Sequence, residues 1–286
     1  MKKKSYLLFL LYFYASCLLS VKIDRVILST NNNPCYLDFW PMIAKAWNQM
    51  GVKPTLALIG DQDLKIDESL GDIVRFEPIN NISTAYHAQV IRLLLPCYFE
   101  DDVCLISDID MLPLNKDYLL GTVDEFSDDK FVVYSTYMDK FRTSHGIIPL
   151  CYTAAKGKIY KEIFQISELS DIKKTIQYWY KLSATLKAPE EIDDKAKWTR
   201  KMIWSTDERM LTAYLKIWKK KDGCLIKLGN TFERTIDRNN WKYDIELLKN
   251  GYYRDAHLPK PISDPDNKNK INTLLKHAEL QNLIQS

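Results

Sequence analysis

The sequence predicts an α/β fold, with a mainly parallel sheet flanked by helices and a helical carboxyl-terminal elaboration. Three observations carry that expectation. Short apolar runs alternate with amphipathic stretches through the first half of the chain, the pattern of strand–helix units. The run Val103-Cys104-Leu105-Ile106 is apolar without alternation, as a strand buried on both faces of a parallel sheet should be. Directly beyond it, Ser107-Asp108-Ile109-Asp110 supplies two carboxylates at the strand end where open α/β sheets gather their ligands.

The chain opens with Lys2-Lys3-Lys4 and an uncharged run from Ser5 to Val21. A basic flank before such a run reads as a signal peptide or signal anchor over residues 1–22. The run is at the short limit for crossing a bilayer, and the lysines favour a cytoplasmic amino terminus. The expected location is therefore either a single-pass membrane protein or the secretory pathway after cleavage.

A strand is expected from Ile23 to Ser29, then a polar turn at Thr30-Asn31-Asn32-Asn33-Pro34 and a helix from Tyr36 to Met50 closed by Gly51. A second strand covers Thr55 to Ile59 and a short third one Asp72 to Glu77. Ser83 or Thr84 can cap a helix that runs to Leu95, with Pro96 kinking its last turn. After the Asp108 strand, Phe131 to Ser135 and Ile147 to Tyr152 read as two more strands. Glu162 to Trp218 is mostly helical, interrupted near Ala188-Pro189, and Leu225 to Leu228 is a late strand. Ile271, Leu274, Leu275 and Ala278 share one face of an amphipathic tail helix within residues 262–286. No linker divides residues 23–261, which read as one domain.

Composition narrows the function classes. A net charge of +3 on 286 residues is too small for nucleic-acid binding by bulk electrostatics. The six cysteines show no C-x-x-C spacing, which argues against a zinc site and for buried free thiols. Two other Asp-x-Asp pairs, Asp61-Gln62-Asp63 and Asp264-Pro265-Asp266, show that the bare pattern is weak. Position distinguishes the pair at 108 and 110: hard oxygen donors at the end of a buried strand suit Mg²⁺ or Mn²⁺, and such an ion suits a phosphate-bearing substrate.

The order of parts resembles a GT-A-type glycosyltransferase over most of residues 23–261. The resemblance rests on the Thr-Asn turn after the first strand, Gly60-Asp61 after the second, the Arg-bearing helix, and Ser107-Asp108-Ile109-Asp110. Ser205-Thr206-Asp207-Glu208 at a helix start and Asp255-Ala256-His257-Leu258-Pro259-Lys260-Pro261 complete it. It implies transfer of a sugar from a nucleoside-diphosphate-sugar donor to a hydroxyl acceptor on a glycan, glycoprotein or glycolipid. In that reading Asp108, Asp110 and His257 hold Mn²⁺ or Mg²⁺, which takes up charge from the departing diphosphate. Thr30, Asn31, Asp61, Gln89, Arg92, Asp108 and Lys260 contact the donor, and Asp207 or Glu208 is the base for the acceptor hydroxyl if the sugar inverts its configuration, a role that a retaining mechanism would not need. Gln89 and Arg92, three residues apart, share a helix face. Arg234, Asp237, Arg238 and Trp241 form a polar-aromatic cluster ranked below these.

Two other readings use the same residues. A haloacid-dehalogenase-like phosphatase would take Asp108 as nucleophile and Asp110 as acid/base, but expects Thr or Val where Leu112 stands. A membrane-tethered protein that binds sugar nucleotides without turning them over would keep the fold and lack the catalysis.

Overall fold

The computed structural model describes residues 22–134, 147–185, 196, 202–218, 224–229 and 232–283. The amino-terminal segment expected at 1–22 lies almost wholly outside them, as do Ser135 and the Ala188-Pro189 interruption. Among the described residues, no helix is long and apolar enough to cross a membrane.

Strands β1 (Arg25–Asn31), β2 (Lys53–Ile59), β3 (Asp72–Phe76) and β4 (Val103–Ile106) lie parallel in the order β3-β2-β1-β4. The sheet continues through β7 (Thr153–Lys156), β6 (Phe131–Val133) and β8 (Leu225–Lys227). The β4–β7 and β7–β6 pairings are antiparallel and β6–β8 is parallel, so the sheet is mostly, not wholly, parallel.

Side-chain alternation explains why the central strands are apolar throughout. Val26, Leu28, Leu56, Leu58, Val103 and Leu105 enter one core cluster, and Ile27, Ala57, Ile59, Cys104 and Ile106 enter the other. Successive residues face opposite sides of the sheet, and both sides are covered. Helix α1 (Trp40–Met50) covers the first face; α2 (Thr84–Leu94), α3 (Gly157–Ile163), α4 (Asp171–Thr185) and α5 (Thr206–Trp218) cover the second. The tail helix α6 (Pro265–His277) buries Ile271, Leu274 and Leu275 in the same cluster as α1.

Most expected elements are present, with two corrections. The helix expected from Tyr36 to Met50 is split into one turn at Pro34–Leu37 and α1 from Trp40. Pro41 accounts for the break, because a helix can start at a proline but not run through it. Gly51, at φ 82°, closes α1 as the sequence suggests. The strand expected at Ile147–Tyr152 is not one; β7 begins at Thr153. Pro149 lacks a ladder donor, and pairing with β4 falls instead on Thr153-Ala154-Ala155-Lys156.

A second, three-stranded sheet positions the site. Its order is β5 (Met111–Pro113), β10 (Asp255–His257) and β9 (Thr235–Asp237). Register puts His257 opposite Met111 on one side and Asp237 on the other. The next row therefore brings together Asp110, Leu258 and Arg238, and the Leu258 N–H donates to the Asp110 carbonyl at 2.8 Å.

Candidate active site

The two carboxylates after β4 face different partners. Asp108 pairs with Arg92, from the last turn of α2. Arg92 Nη2 also donates to Asp207 Oδ2 at 2.6 Å, and Gln89 Nε2 donates to Asp207 Oδ1 at 3.0 Å. Gln89 and Arg92 thus use their shared helix face to tie the end of β4 to the start of α5. Ser83 fixes the beginning of α2 by accepting from the Tyr86 N–H, so the register of that face is set by the cap. Burial works against the Arg92 charge, but Asp108 and Asp207 outweigh it and hold the guanidinium protonated beyond its usual range. Asp207 is buried, and its Oδ1 also accepts from the Glu208 N–H at 2.9 Å.

Asp110 is 4% exposed and sits where the small sheet meets the large one. Its Oδ2 lies 2.6 Å from Arg238 Nη1, 3.0 Å from Lys260 Nζ and 3.5 Å from His257 Nε2. Burial alone would raise its proton affinity. The His257 hydrogen bond, with the Lys260 and Arg238 charges, overrides burial and keeps the carboxyl ionised far below the usual range. Lys260 also stands 3.8 Å from the centre of the Tyr36 ring, which links this cluster to the turn after β1.

The structure therefore joins Gln89, Arg92, Asp108 and Asp207 in one network and Asp110, His257 and Lys260 in another, at adjoining positions. Glu208 follows Asp207 in the first turn of α5 and is half-buried. Thr30 and Asn31 end β1 on the same sheet edge, where Asn31 Nδ2 donates to Thr84 Oγ1 at 3.0 Å. Asp61 is exposed and accepts from the Asp63 N–H, closing its own turn.

Arg238, which the sequence reading ranked below the other candidates, contacts Asp110. Of its cluster, Arg234 turns to the Tyr252 carbonyl at 2.8 Å, Asp237 accepts from the Asn239 N–H, and Trp241 meets Tyr243 edge-on. Only Arg238 reaches an acid of the pair, and no local pattern announces it, since the contact spans 128 residues.

The donor set fits a hard divalent cation in kind: two carboxylates and one imidazole. The arrangement is not a preformed metal cage, because among the described residues no group of three such side chains is gathered for an ion. Asp110 would exchange Arg238 and Lys260 for it.

No protein-family model matches the chain. No curated protein matches it in sequence. The fold, in contrast, is that of the GT-A-type glycosyltransferases. A galactosyltransferase, LgtC, solved in complex with donor and acceptor sugar analogues, is similar with a TM-score of 0.50 at 12% identity, over 92% of this chain and 96% of that one. The apo form of the glycosyltransferase GlyE from Streptococcus pneumoniae has a TM-score of 0.45 at 11% identity, over 91% of this chain and 62% of its own. At 12% identity the likeness to the galactosyltransferase establishes architecture alone, and the chemistry has to come from the residues.

Proposed function

We propose that the chain is a glycosyltransferase that moves a sugar from a nucleoside-diphosphate-sugar to a hydroxyl acceptor. One observation carries the reading: at the carboxyl end of β4, Asp108 and Asp110 adjoin one another yet are held by two separate sets of charged partners. That arrangement suits a substrate with a sugar at one end and a diphosphate at the other.

Asp108, Asp110 and His257 would hold the cation, Mn²⁺ or Mg²⁺. Bound there, the ion would take up negative charge as the diphosphate leaves. Lys260 neutralises the diphosphate as a point charge. Gln89, Arg92 and Asp207 orient the sugar, presenting both donors and acceptors to its hydroxyls. If the transfer inverts the sugar's configuration, Asp207 or Glu208, both in the first turn of α5, takes the proton of the acceptor hydroxyl. Thr30, Asn31 and Asp61 line the sheet edge assigned to the base and ribose.

The phosphatase reading needs Asp108 as a nucleophile, whereas Asp108 is ion-paired with Arg92. A non-catalytic binder would hold a nucleotide-sugar without consuming it. The test is a panel of nucleotide-sugars with Mn²⁺, read as release of nucleoside diphosphate. Metal-dependent release from at least one donor, absent in Asp110→Ala, is expected. Binding with no release from any donor, with or without acceptor sugars, would overturn the enzymatic reading. Membrane association through residues 5–21 belongs to the same proposal and is checked by fractionating cells that express the full chain.

A further inference from the structure

Asp110 carries more positive charge than one carboxylate needs. Arg238 and Lys260 both contact its Oδ2. Across the adjoining networks, Arg92, Arg238 and Lys260 are ion-paired with Asp108, Asp110 and Asp207, three against three. A divalent cation between Asp108 and Asp110 would raise the charge of the site by two and would compete directly with the side chains already on Asp110.

The two resident cations are not equivalent. Lys260 has a second electrostatic partner in the Tyr36 ring. Besides Asp110, Arg238 has the Leu258 carbonyl at 3.5 Å, a long contact that holds it weakly. Its side chain is as exposed as that of Lys260, and it follows directly on the last residue of β9, without a ring partner of the kind Tyr36 gives Lys260. Its planar fork matches two oxygens of a phosphate, which a lysine cannot do.

We propose, resting on the reading of this site as a metal-assisted diphosphate site, that Arg238 is a diphosphate-binding residue stored on Asp110 in the ligand-free protein. Metal binding at Asp110 frees it, and the diphosphate then receives it. Cation and diphosphate consequently bind together far better than either alone. The cation alone must displace Arg238 with nowhere to send it. The diphosphate alone must strip a buried carboxylate of its counter-charge.

The test uses the full chain with Mn²⁺ alone, followed by electron paramagnetic resonance. Uridine, guanosine and adenosine diphosphates are then titrated at saturating Mn²⁺ by calorimetry. Arg238→Met should bind Mn²⁺ alone about tenfold more tightly than wild type, since a competing charge near the ion is gone. The same variant should bind the preferred nucleoside diphosphate about tenfold more weakly. Arg238→Lys, which keeps the charge, should return Mn²⁺ binding towards the wild-type value. A purely structural role would weaken both affinities, so opposite signs are the required result. Both affinities falling, or neither changing, would refute the storage model. Should Arg238→Met fail to fold, Arg238→Gln is read by the same criteria. Asp110→Asn separates the two levels of the claim: if it binds Mn²⁺ as wild type does, the metal reading of the site fails along with this one. If it loses Mn²⁺ while Arg238→Met shows no opposite shifts, only the Arg238 role falls.

Discussion

Arg92→Met tests the network that ties α2 to α5. The substitution keeps most of the stem volume and removes the only cation shared by Asp108 and Asp207 among the described ion pairs. The Asp108 side chain is 31% exposed, so water can replace its partner at a cost well under about 1 kcal/mol. The Asp207 side chain is 3% exposed, and an unpaired buried carboxylate costs about 3–5 kcal/mol. Gln89 and the Glu208 N–H still serve Asp207, which places the expected loss near the low end, about 3 kcal/mol. Urea unfolding at pH 7, followed by circular dichroism, measures it. Adding Asp207→Asn removes the stranded charge, so the double variant should regain about 2 kcal/mol relative to Arg92→Met alone. A loss below about 1 kcal/mol, or a double variant no more stable than the single one, would show that the pair is not a buried ion pair in solution.

Further tests address other parts of the structure. His87 is buried in α2, and desolvation lowers its pKa from 6.5 to about 4. The unfolded chain takes up this proton first, so stability should fall as pH drops from about 6.5 to 4, by about 3 kcal/mol from this group. Chemical melts of wild type and His87→Phe between pH 7 and pH 4 should diverge in slope, and parallel curves would refute the assignment. Asp110 has a depressed pKa and contributes stability above the ordinary carboxyl value of 3.8 that is lost as pH falls below it. Asp110→Asn should therefore destabilise the metal-free protein at pH 7 and less so at pH 2, read from thermal midpoints. Gly157→Ala would put a methyl carbon 2.2 Å from the Phe99 carbonyl oxygen and 2.3 Å from that of Pro96, both rigid backbone. A loss of about 2 kcal/mol or more in urea melts is expected. Leu274→Ala deletes a fully buried side chain of α6 and should cost about 3 kcal/mol if the tail helix is part of the cooperative core. A drop below about 1 kcal/mol would mean that it unfolds separately.

What could be read from the sequence was what local rules determine. The apolar run at 103–106, the Ser83 cap, the closing Gly51 and the shared face of Gln89 and Arg92 each depend on neighbours within a few residues, and each has its expected place. Pro41 was also a local signal, and it outweighs the apolar periodicity that suggested one long helix. The antiparallel return of β7 and the whole of the small sheet were less legible. Their strands are three or four residues long, and pairing with segments distant in the sequence, not any local pattern, defines them. Such segments have no period to detect. Arg238 shares that difficulty: its contact with Asp110 follows from lying one row beyond Asp237 and His257, a relation that exists only once β9 and β10 are paired.

The same topology explains why a two-residue spacing serves two purposes. In a continued strand, residues 108 and 110 would point to the same face and compete for the same partners. Strand β4 instead ends at Ile106, and the Met111 N–H closes a turn on the Asp108 carbonyl before β5 begins. The turn gives Asp108 to the helices of the large sheet and Asp110 to the strands of the small one. Arg92 and Asp207 answer to the packing of α2 against α5, while Arg238, His257 and Lys260 answer to the register of β9 and β10. In the proposed reaction, the first set would hold one end of a bound donor in place while Arg238, at the other end, moves from Asp110 to the diphosphate once the cation binds.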